Sequence, residues 1–240
     1  MGGRTNLSEL AGERFGVAGD CLPRRCGVGW ARSIESDSQK TDRNPKNQVG
    51  GNINARTLVA EFIGTFALVL IGAGAVAVSE GNLVATAFAH GLTLMVIAYA
   101  YGHISGAHIN PVVTVGLWAD KQIESASAVA YIVVQVLGGI VAAAVLALML
   151  GGTESGLGAT RLDAEVNVWQ GLLIETILNF FLVNAIYNAG VSGKAKMAAG
   201  AAIGLTLTFA ILMGGPLTGA SLNPARTIGP DVVTGDFSDI

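Results

Sequence analysis

The chain has 240 residues, 51% of them hydrophobic and 13% charged, with a formal net charge of −3. A soluble domain carries roughly 25% charged residues, so this composition is that of a membrane protein. The mild acidic balance, with no cluster of Lys and Arg in the apolar part, argues against a nucleic-acid partner.

Residues 1–55 hold 14 of the 31 charged side chains and contain no apolar run of seven or more, so they are not a signal peptide. They read as a disordered leader or as an upstream extension from a misassigned start. Cys21 and Cys26 fall in this region without a second Cys or His pair, the pattern of an accidental pair rather than a zinc or redox site.

From residue 56 onward only 17 charges are spread over 185 positions. Five apolar segments follow, approximately 57–79, 83–102, 126–150, 167–189 and 195–215, each near the ~20 residues that span a bilayer. Strand-like alternation is absent. Gly64, Gly72, Gly74, Gly138 and Gly139 are expected where helices approach closely. Arg56, Lys121, Lys194 and Lys196 fall at one set of helix ends, whereas the 151–166 connection sets Arg161 among three acids. The positive-inside rule then predicts a cytoplasmic N-terminus.

Two stretches repeat at an offset of 113: "GAHINPVVTVG" from residue 106 and "GASLNPARTIG" from residue 219 share six of eleven residues. "GLTL" occurs at 91 and again at 204, and Glu61-x-Ile63-x-x-Phe66 matches Glu175-x-Ile177-x-x-Phe180. The predicted fold is an all-α membrane protein of two units, 56–150 and 167–240, each with three helices and a re-entrant half-helix. An odd number of spans inverts the second unit, as in transport proteins built from inverted repeats. A helix matching 126–150 falls at about 239–263, so a C-terminal truncation that removes the sixth transmembrane helix is expected.

Asn followed by Pro is a helix start, with Asn as N-cap and Pro at the first helical position. From Asn110 to Asp120 such a helix rises about 16 Å, half of a ~30 Å hydrocarbon core. Inverted repeats bring two such N-termini together near the midplane, where their dipoles repel cations. Taken alone each Asn is a cap; as a symmetric pair they also present amide donors to a passing molecule. Arg226 follows Asn223 by three residues and its counterpart is Val113, so the charge stands at the outer end only. A guanidinium at membrane depth costs about 3 kcal/mol or more and marks function.

Asn110-Pro111-Val112 and Asn223-Pro224-Ala225, within "GHISGAHINPVVTVGLW" and "TGASLNPARTIGP", resemble the twin "NPA" boxes of the major intrinsic proteins, the aquaporin family. The resemblance covers residues 57–240 and departs at Val112, where the family usually has Ala. It maps a selectivity filter onto His90, Ile211, Ala220 and Arg226. His90 alone reads as a packing residue, and its place in this set makes it a filter candidate. His90 with Ile211 resembles the filter of tonoplast-type aquaporins, and Thr227 stands where glycerol facilitators usually carry Asp. The resemblance also implies that Glu61 and Glu175 support the pore loops by accepting backbone hydrogen bonds. His103 and His108 are expected to brace the first loop.

The implied function is a passive channel for water, with ammonia, urea and hydrogen peroxide as further permeants and glycerol the weaker candidate, excluding ions and protons. No enzyme activity, cofactor or metal is expected. The implied setting is a homotetramer, multi-pass in the plasma membrane. The alternatives are a coupled secondary transporter, which inverted repeats also build, and a non-conducting truncated fragment.

Overall fold

The computed structural model describes residues 54–238. Apart from Asn54 and Ala55, the leader expected over 1–55, with Cys21 and Cys26, lies outside the described residues.

Among the described residues seven α-helices follow one another: α1 Ala55–Val78, α2 Leu83–Ser105, α3 Pro111–Ala119, α4 Ser125–Leu150, α5 Val168–Ala185, α6 Ala199–Thr218 and α7 Pro224–Thr234. Their ends follow local chemistry. Asn54, Asn82 and Asn167 each accept a hydrogen bond from a backbone N–H of the first turn, and Asn167 forms a capping box with Gln170. Left-handed glycines close α2, α4, α6 and α7 at Gly106, Gly151, Gly219 and Gly235.

Five spans, Ala55–Val78, Leu83–Ser105, Ser125–Leu150, Val168–Val191 and Lys196–Thr218, are long and apolar enough to cross a membrane. The fourth is not one regular helix: α5 runs into a π-helical stretch, Ile186–Val191. The fifth extends three residues beyond its expected end at 215, carrying Pro216 inside α6. No strand occurs among the described residues.

Small residues set the helix crossings. A Cβ on Gly91 of α2 would lie 2.6 Å from the Gly204 carbonyl oxygen on α6, and one on Gly204 would lie 2.4 Å from the Gly91 oxygen. These are the first residues of the two "GLTL" copies, so the repeat marks the place where the two units cross. On α4, a Cβ on Gly138 would meet the Phe62 carbonyl oxygen of α1 at 2.7 Å, and one on Gly139 the Ala225 oxygen of α7 at 2.3 Å. Backbone-to-backbone contact of this kind drives helix association where lipid offers no hydrophobic force. Among the described residues α4 has no counterpart in the second unit.

Candidate functional site

The two half-helices, α3 with nine residues and α7 with eleven, start where the sequence predicts. Asn110 Oδ1 accepts from Val112 N at 2.8 Å and Asn223 Oδ1 from Ala225 N at 3.0 Å, while Pro111 and Pro224 occupy the first helical positions. The amide nitrogens cross over. Asn110 Nδ2 donates to the Leu222 carbonyl at 2.7 Å and Asn223 Nδ2 to the Ile109 carbonyl at 2.9 Å. The N-termini of α3 and α7 therefore abut, and their dipoles add at one place.

The loop before each half-helix takes a shape that L residues resist. Ala107 and Ile109 have φ of 48° and 42°, and Ala220 and Leu222, 113 residues on, have 43° and 52°. Such conformations cost on the order of 1–3 kcal/mol each unless the surroundings hold them. A carboxylate does so in each unit, fully buried at Glu61 and half-buried at Glu175. Glu61 accepts from His108 N at 3.0 Å, Ile109 N at 2.7 Å, Ser105 Oγ at 2.6 Å and Gln135 Nε2 at 2.8 Å. Glu175 accepts from Ser221 N at 3.1 Å, Leu222 N at 2.9 Å and Thr218 Oγ1 at 2.7 Å. Each bond to a charged acceptor contributes about 1.5–3 kcal/mol.

A cavity of about 670 Å³ runs along these loops, lined among others by His90, His103, His108, Asn110, Asn223 and Arg226. Tyr99, Lys196 and Met197 line it too, away from the half-helix starts. His90 Nδ1 lies 2.9 Å from the Thr86 carbonyl, an acceptor, so Nδ1 carries the proton and Nε2 is a bare acceptor. Arg226 Nε donates to that Nε2 at 3.4 Å. Arg226 is 2% exposed, and its Nη1 meets no acceptor among the described residues. Ile211 and Ala220 are buried together in the apolar core with Leu178 and Leu222 and are not among the residues lining the cavity.

The histidines flanking the first box separate. His103 is exposed and lines the cavity. His108 is buried, its Nδ1 is 3.2 Å from Thr114 Oγ1, and its ring meets Tyr131 edge-on at 5.1 Å.

Sequence reasoning missed the second layer behind the first loop. Gln135 Nε2 reaches Glu61 and, at 3.0 Å, Thr114 Oγ1, and Tyr131 Oη donates to the Ser105 carbonyl. A lone Gln within "YIVVQVLGG" was the available signal, since an amide inside a membrane helix needs partners. It missed an ion pair as well: Arg161 Nη1 donates to Asp231 Oδ1 at 2.7 Å, and Nη2 lies 3.0 Å from Asp236 Oδ2. Burial works to lower the Arg161 pKa, but the bonds and charges of Asp231 and Asp236 outweigh it and hold the pKa above its ordinary value.

Two half-helices that abut at paired asparagines along a cavity, inside a bundle of apolar spans, define a passive membrane channel rather than an enzyme. The family comparison agrees: residues 51–240 match the model of the major intrinsic proteins, and the chain belongs to that family, whose members pass water and small solutes across membranes. It is 39% identical over 186 residues to glycerol uptake facilitator protein-like 6 of Lactiplantibacillus plantarum, covering 75% of this chain and 85% of that protein. It is 40% identical over 198 residues to aquaporin AqpM of Methanothermobacter thermautotrophicus, covering 72% and 80%. The fold resembles the crystal structure of the Plasmodium falciparum aquaglyceroporin, with a TM-score of 0.67 at 24% identity, over 75% of this chain and 80% of that one.

Proposed function

We propose that this channel carries water together with ammonia, urea and hydrogen peroxide, selecting them at a tonoplast-type filter whose polar members, His90 and Arg226, line the cavity and whose apolar members, Ile211 and Ala220, lie in the core that backs it. The observation that carries the reading is the His90–Arg226 bond between two residues that line the cavity. A neutral imidazole that accepts from Nε orients the guanidinium, whose remaining N–H groups are donors for a neutral oxygen or nitrogen. A fixed positive charge and two half-helix N-termini repel cations and protons.

Asn110, Pro111 and Val112 with Asn223, Pro224 and Ala225 start the half-helices, and each Asn has a second amide hydrogen for a permeant. Glu61, Glu175 and His108 hold the loops, and His103 stands at the inner mouth. The channel unit begins near residue 56, is divided into the repeats 56–150 and 167–240, and works as a homotetramer in the plasma membrane with its N-terminus in the cytoplasm.

Stopped-flow light scattering on proteoliposomes tests the filter. Wild type should show fast water flow with low activation energy, and His90→Phe, which fills the opening and removes the Arg226 acceptor, should slow urea more than water. Unchanged rates for water, urea, ammonia and glycerol would overturn the assignment. Uptake driven by a pH gradient would instead establish coupled transport.

A further inference from the structure

The connection between the repeats does more than join them. Residues 151–166 would ordinarily form a mobile surface loop. Here residues 157–163 are built into the wall around α7. Leu157 is fully buried at φ 49°. Gly158 lies so close to α1 that a Cβ would stand 2.2 Å from the Ala73 carbonyl oxygen. Thr160 Oγ1 is 3.0 Å from Thr227 Oγ1, which in turn contacts the Ser221 hydroxyl. Asp163 N donates to the Leu217 carbonyl at 3.0 Å, and Gly219 packs directly on Thr160. The segment thus touches Gly219 beside Ala220, and Thr227 beside Arg226.

Arg161 fastens it through charge, and its buried partner is Asp231. Asp231, on α7, is fully buried, and its Oδ1 receives Arg161 Nη1 at 2.7 Å, while the same nitrogen donates to the Thr160 carbonyl at 2.8 Å. A carboxylate in that position is tolerated because a cation answers it. We propose that Arg161 and Asp231 form a clamp that sets the selectivity of the outer end, by holding residues 157–161 against the neighbours of Ala220 and Arg226. Both are positioning residues, acting through Thr160, Thr227 and the backbone. The role of the clamp in selectivity rests on the filter assignment above; its role in fixing the segment does not.

The test uses the full chain in proteoliposomes, with Arg161→Gln, Asp231→Asn, the double variant and the conservative Arg161→Lys. Arg161 is 28% exposed, so Arg161→Gln removes little packing, and the double variant, which also takes away the Asp231 charge, covers the case in which an unanswered carboxylate upsets the fold. Hydrogen exchange across residues 157–163 reads the clamp even in a protein that passes no water. It should quicken in both single variants and stay near wild type in Arg161→Lys. The ratio of urea to water permeability reads selectivity. It should rise about threefold or more in each single variant, a change of ~0.65 kcal/mol in barrier, and by no more in the double variant, since the second substitution removes a partner already lost. Unchanged exchange in the single variants overturns the clamp. Faster exchange with an unchanged urea-to-water ratio, or additive effects in the double variant, overturns its control of selectivity. A wild type that passes neither water nor urea sinks the channel reading, while exchange still decides the clamp.

Discussion

Gly72 offers the sharpest test of how His90 is held. A Cβ at residue 72 would lie 2.4 Å from His90 Cδ2 and 2.5 Å from Nε2. In Gly72→Ala the ring must retreat by about 1 Å or more to regain an ordinary 3.5–4.0 Å separation. That displacement is large enough to break either the 2.9 Å contact with the Thr86 carbonyl or the 3.4 Å bond from Arg226. Overpacking of this kind costs about 1–3 kcal/mol. If about 1 kcal/mol of it falls on the pathway, flux drops roughly fivefold. Gly74→Ala is the control, because its Cβ would meet Leu146 Cδ1 at 3.4 Å, an ordinary contact. Stopped-flow water permeability of both variants, normalised to channel content, decides the matter. Equal rates for wild type, Gly72→Ala and Gly74→Ala would refute the idea that α1 holds His90 against the pathway.

Glu175→Gln keeps the size of the group but loses the charge that Ser221 N and Leu222 N bond to, and its amide nitrogen faces donors. A loss of about 1–3 kcal/mol is expected, seen as a lower thermal midpoint in detergent and slower water flow; an unchanged midpoint would contradict the loop-holding role. A third prediction concerns acid. The Asp236 carboxyl lies below its ordinary value because the Ser238 hydroxyl and N–H bond to it, with Arg161 adding to the shift. A depressed carboxyl stabilises the fold above its unfolded pKa and loses that contribution as pH falls through the folded one. Wild type should therefore melt above Asp236→Asn near neutral pH, and the two should converge below about pH 4. A gap that stays constant from neutral pH to pH 3 would contradict the shift.

The spans and the half-helix starts were legible because their signals are local: apolar length for the spans, Asn-Pro for α3 and α7. The 113-residue repeat added what no single stretch contains, that Asn110 and Asn223 belong together. The loop shape was not legible. Ala107, Ile109, Ala220 and Leu222 are residues for which positive φ is uncommon, and the carboxylates of Glu61 and Glu175 that bond these loops lie more than 40 residues away in sequence. The Arg161–Asp231 pair was hidden for a related reason. Arg161 counts in the sequence only as a charge that bears on orientation, and nothing in its neighbourhood or that of Asp231 names a partner 70 residues off. Apolar length places the end of the fifth segment at about 215, whereas α6 carries Pro216 inside it and continues to Thr218.

The crossed bonds between the two asparagines bear on how the protein is made. Each links partners 112 or 114 residues apart, and each loop carbonyl that Asn110 or Asn223 bonds to belongs to the other repeat. The first repeat leaves the ribosome long before the second, so during that interval Asn110 has no Leu222 carbonyl to reach and α3 has no opposing N-terminus. The two half-helix N-termini can meet only once α7 has followed α3 into the bilayer, so the path they frame takes shape from both repeats together.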